Sequence, residues 1–73
     1  MGREERVERF KRVAGKRTDI ILRALRSLSK CSEKKNYEYT QQQTARIFRA
    51  IEDELRYTRM QFRQNRENKF TLD

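Results

Sequence analysis

From Val7 onward, apolar residues recur as Val7, Phe10, Ala14, Ile21, Leu25 and Leu28, with Cys31 continuing the series. Steps of mostly three or four stack these side chains along one face of an α-helix. Arg17 interrupts the stripe and Gly15 sits close by. An arginine at the edge of such a stripe can extend its guanidinium to water, and a lone interior glycine weakens a helix by only about 1 kcal/mol relative to alanine. Proline is absent and glycine occurs twice, so almost nothing punctuates the chain. The expectation is one helix over about residues 3–31, with a kink near Gly15 to Thr18 as the alternative.

A second helix is expected to open at Thr40. Thr40-Gln41-Gln42-Gln43 has the spacing of a capping box, in which the Thr and Gln side chains each satisfy the other's backbone N–H. The next stripe runs Thr44, Ile47, Phe48, Ile51, Leu55, Thr58 and Phe62, giving a helix over about 40–63. Beyond it the pattern weakens, and 64–73 reads as a mobile C-terminal tail from which Phe70 and Leu72 could fold back.

With residues 32–39 as the joint, the fold class expected is all-α, an antiparallel αα-hairpin forming a single domain over 1–63. Its core would set Phe10, Ile21, Leu25 and Leu28 against Ile47, Phe48, Ile51, Leu55 and Phe62. The chain has 73 residues, of which 34% are hydrophobic and 41% charged. So short a chain buries only about 60% of the surface its unfolded form exposes. One hairpin cannot cover both stripes, so the expectation includes a homodimeric four-helix bundle or docking on a larger partner. In the joint, Asn36 suits the residue after a helix end, because asparagine bonds locally and tolerates left-handed geometry. Tyr37 and Tyr39, two apart, would point to one side and close over the open end of the hairpin. The competing reading has a tyrosine stacking on a base, with Lys34 and Lys35 on phosphates.

The charge is concentrated. Net charge is +8, from 19 Lys+Arg against 11 Asp+Glu. Residues 1–35 hold twelve basic and five acidic groups (+7), whereas 36–73 hold seven and six (+1). At about 100° per residue, Arg9, Arg12, Lys16, Arg23, Arg26 and Lys30 fall in one sector nearly opposite the apolar stripe. From Arg9 to Lys30, Asp19 is its one acidic member. The second helix carries a less pure ridge of Arg49, Arg56, Arg59 and Arg63, interrupted by Glu52. Guanidinium groups are weakly hydrated and pair readily with phosphates, which makes the first ridge, with Lys34, Lys35 and Tyr37, a candidate nucleic-acid surface. A solvated helix face and a contact for an acidic protein are the alternatives.

Other classes are disfavoured. With no histidine and one cysteine, neither a zinc site nor a Cys-His nucleophile can be assembled. Gly2 and Gly15 stand alone, so there is no phosphate-cradling glycine loop. An enzyme is not expected, nor any cofactor or small-molecule substrate. No apolar run approaches the roughly 20 residues of a membrane span. Charges occupy the N-terminal stretch where a secretory signal would be apolar, and Arg6 stands where a myristoylation motif wants Ser or Thr. The compartment expected is the cytoplasm. A helix-turn-helix needs a shorter turn than this joint, so DNA and RNA are not separated and contacts to the phosphate backbone are expected to dominate.

Cys31-Ser32, Lys34-Lys35-Asn36-Tyr37-Glu38-Tyr39-Thr40 and Ile47 to Glu52 together resemble small uncharacterised helical proteins of bacterial mobile elements and phages. The resemblance covers about residues 7–62. It implies a short helical accessory protein, with no assigned activity.

Overall fold

In a computed structural model of the chain, residues 2–71 are described, with side chains through 66. The chain divides into two units, Met1–Glu38 and Tyr39–Asp73. It is all-helical, with two long helices and no strand among the described residues.

The first unit holds α1, Arg3–Ser29, followed by a 3₁₀ turn, Lys30–Ser32. Helix α1 is continuous through Gly15, so the chain does not break there into two shorter helices. Gly2 occupies the N-cap without a side chain to offer, and Glu4 and Glu5 supply negative charge to the first turn, where the helix dipole favours it. At the other end, Ser29 Oγ donates to the Arg26 carbonyl at 2.6 Å.

The exit from α1 differs from the expected left-handed cap at Asn36. No residue with a described backbone has positive φ. The helix instead tightens into the 3₁₀ turn and leaves through Glu33, whose backbone is extended at φ −68° and ψ 109°. The Glu33 carbonyl then accepts from the N–H groups of Asn36 at 3.2 Å and Tyr37 at 3.0 Å, and its carboxylate accepts from Lys35 N–H at 3.2 Å. One residue thus satisfies three donors, which leaves Asn36 no need of the left-handed region.

The second unit is α2, Gln41–Thr71. Its start is as expected: Thr40 N–H donates to Gln43 Oε1 at 2.8 Å, and Gln43 N–H donates to Thr40 Oγ1 at 3.1 Å. This reciprocal pair is the capping box. The helix runs on to Thr71, past the end at 63 expected from the apolar pattern. Gln64, Arg66, Glu67 and Lys69 are strong helix formers, and no Gly or Pro intervenes. Helical propensity carries the backbone onward after apolar periodicity has faded. The side chains of Phe70 and Leu72 lie outside the described residues.

No described side chain is buried. Val13, Ala14 and Leu28 on α1, with Thr44 and Ile51 on α2, are half-buried, and the remainder are exposed.

Two expected outcomes follow from these helices. Replacing Thr40 by Ala should destabilise the start of α2 by about 1 kcal/mol, read as lost helicity and faster amide exchange at Gln43, while Thr40→Ser should preserve both. A Cβ on Gly15 would meet nothing within 4 Å, so Gly15→Ala should raise helix stability by about 0.5–1 kcal/mol in thermal unfolding.

Candidate nucleic-acid interface

Because α1 is unbroken from Arg3 to Ser29, helical geometry orders its side chains. Arg9, Lys16, Arg23 and Lys30 stand seven residues apart, and so do Arg12, Asp19 and Arg26. Seven residues are nearly two turns, so both rows stay on one side of the helix. The ridge extends over 21 residues, about 32 Å at 1.5 Å per residue. All six of its cations are exposed.

Arg23 Nη2 meets Asp19 Oδ2 at 2.6 Å. The other five, Arg9, Arg12, Lys16, Arg26 and Lys30, make no ion pair among the described residues. The nearest acids on the N-terminal side, Glu5 and Glu8, lie on the same face; Glu8 engages Lys11 at 3.9 Å, leaving Arg12 unengaged. Both pairs are solvent-exposed, and such pairs contribute little to stability. Their consequence is electrostatic: one acid neutralises one cation within a row of six.

The turn after α1 extends this surface in part. Lys30, Ser32, Glu33, Lys34 and Asn36 line one shallow, solvent-open hollow, so Lys34 stands beside the last cation of the ridge. Lys35 and Tyr37 do not line it. Tyr37 is 51% exposed, which leaves its ring available to a partner. The structure therefore brings together Arg9, Arg12, Lys16, Arg23, Arg26, Lys30 and Lys34, with Lys35 and Tyr37 adjacent in sequence but outside the hollow.

On α2 the basic residues are more mixed. Arg56 pairs with Asp53 at 3.9 Å, and Glu52 lies along the row formed by Arg49, Arg59 and Arg63. A second shallow hollow there is lined by Gln42, Ala45, Arg46, Phe48, Arg49 and Glu52. Among the described residues no three acidic or thiol side chains converge as a metal site would require. No helix among them is long and apolar enough to cross a membrane.

The expected core residues Phe10, Ile21, Leu25, Ile47, Phe48, Leu55 and Phe62 are all exposed, while Leu28 and Ile51 are half-buried. Sequence reasoning had passed over Val13, Ile20 and Ala24. With them the apolar face of α1 becomes a broad arc that encloses Arg17 rather than leaving it at an edge. The signal was present as 13-17-20-24, a second series of three- and four-residue steps.

The chain matches no family model, no curated protein and no solved structure.

Since Asp19 is the acid within the ridge, Asp19→Asn should release Arg23 and strengthen retention on a sulfate or phosphate column. The check is the salt concentration at elution, which should rise while helicity stays unchanged.

Proposed function

We propose that the protein is a small, non-enzymatic nucleic-acid-binding protein that grips the phosphate backbone with the ridge on α1. The observation that carries this reading is the run of exposed cations from Arg9 to Lys30, five of them without an acidic partner among the described residues. A row about 32 Å long is comparable with one turn of B-form DNA, about 34 Å, and fits a backbone-tracking contact. Each phosphate neutralised releases a counterion, so affinity should fall steeply with salt.

On α1 the ridge cations occupy one sector of the helix and the Phe10, Ala14, Ile21, Leu25 and Leu28 stripe another. The arrangement suits a helix with nucleic acid on one side and protein on the other. That protein surface could be the second helix of the same chain, in the antiparallel hairpin expected from the sequence, or a further chain.

The exposed apolar faces also support a second reading, an accessory or inhibitory subunit that docks on a larger protein or ribonucleoprotein. The resemblance to mobile-element and phage proteins points the same way. Both readings place the protein in a cytoplasmic setting.

Arg12, Arg23 and Arg26 changed together to Glu should abolish retention on DNA and RNA while leaving the circular dichroism unchanged. With the unaltered chain, log Kobs should fall by about 0.9 per phosphate contact for each unit of log salt on duplex DNA. Unaltered nucleic-acid binding by the triple variant would exclude the ridge as the contact surface.

A further inference from the structure

The apolar positions of α2 step through Thr44, Phe48, Ile51, Leu55, Thr58 and Phe62, that is, four, three, four, three and four. Their mean spacing is that of a heptad, which holds a seam against a partner helix when the two supercoil. In heptad terms, Phe48, Leu55 and Phe62 occupy position a, and Thr44, Ile51 and Thr58 occupy d. Glu52 and Arg59 then stand at e, Ile47 and Glu54 at g. We propose that α2 associates with α2 of further copies of this chain, parallel and in register, as a coiled coil of more than two strands. This inference is independent of what the α1 ridge binds.

Four observations carry it. First, the seam is presented ready for burial: Phe48, Leu55 and Phe62 are 54%, 53% and 54% exposed. Secondly, its two polar members are already satisfied. Thr44 Oγ1 donates to the Gln41 carbonyl at 2.9 Å, and Thr58 Oγ1 to the Glu54 carbonyl at 2.8 Å. Each hydroxyl is spent on its own helix, so sealing the seam would orphan neither.

Thirdly, charge selects the orientation. In a parallel coiled coil a g residue meets the following e residue of its neighbour, which puts Glu54 beside Arg59 of the next copy. An antiparallel pairing sets g against g and e against e. With Leu55 opposite Ile51, Glu54 would approach Glu54 and Glu52 would approach Glu52. Like charges so placed are unfavourable.

Fourthly, the shape of the seam selects strand number. Leu at a with Ile at d shifts preference from dimers to trimers and tetramers, and apolar Ile47 at g widens the seam in the same direction. On α1 the series that begins at Phe10 is interrupted seven residues later by Arg17. Net charge adds to the contrast: copies meeting through residues 36–73 bring +1 each, whereas residues 1–35 carry +7.

The test uses the full chain with Cys31, which is exposed, changed to Ser. Thr44→Cys and Thr58→Cys are then made separately and treated with a short thiol cross-linker. Both should link to their own copies, because parallel register sets each residue beside itself. In the antiparallel alignment residue 44 lies opposite 62 and is displaced by about 27 Å along the axis from residue 44 of its neighbour, and failure of the Thr44→Cys link overturns the parallel register. Sedimentation of the unaltered chain should give the mass of three or four chains. A single-chain mass, as a closed hairpin would give, overturns the association, and a two-chain mass overturns the strand number. Glu54→Arg should weaken association several-fold, and adding Arg59→Glu should restore it; absence of that rescue overturns the predicted charge pairing. The Arg12, Arg23 and Arg26 reversals should leave the mass unchanged, so loss of nucleic-acid binding and loss of assembly are read separately.

Discussion

An amphipathic helix cannot bury its own apolar face, and the energetics of this protein depend on that constraint. Burying a Leu, Ile or Phe side chain is worth about 1.5–3 kcal/mol, yet Phe10, Ile21, Phe48, Leu55 and Phe62 all remain exposed. What holds each unit in shape is local: the backbone ladder of a 27-residue and a 31-residue helix, and the caps at their ends. Both lengths exceed the roughly 12–15 residues below which isolated helices are marginal. The hydrophobic contribution is therefore in reserve, to be drawn on by whatever surface covers the two faces.

Phe10, Ala14, Ile21, Leu25 and Leu28 stand nearly opposite the cations of α1, so a partner held by those residues leaves the ridge open. Val13 and Ile20 carry the wider arc up to the flank of Arg9 and Lys16, where the two surfaces meet. Arg17 lies within the arc itself. Enclosed by Val13, Ile20 and Ala24, it would have to reach the rim of any interface formed there or find an acidic group across it, because a buried unpaired charge is costly. It is thus a specificity element on a face otherwise open to many partners.

The legible parts of this structure were those set by neighbouring residues. The reciprocal cap of Thr40 and Gln43 could be read to the atom, because both donors and both acceptors lie within four residues. The two helices were legible from three- and four-residue steps. The end of α2 was not, because apolar spacing reports a buried face and stops reporting where that face ends; propensity continued the helix from Gln64 to Thr71. The exit from α1 was missed for a different reason. Asparagine's tolerance of left-handed backbone identified Asn36, but Glu33, three residues earlier, had already taken up the available donors with its carbonyl and carboxylate. The ridge was legible as a sector, whereas its one internal ion pair, Asp19 to Arg23, needed atomic positions.

The cap on α2 has an amide where such caps often have an acid. Gln43 has no titratable proton and no charge for counterions to screen, so the bonds it shares with Thr40 are indifferent to pH and ionic strength. The cations of α1 respond to salt through every contact they make. The chain consequently joins a salt-responsive surface to a helix whose first turn is latched by neutral chemistry, and changing ionic conditions can release the one without unfastening the other.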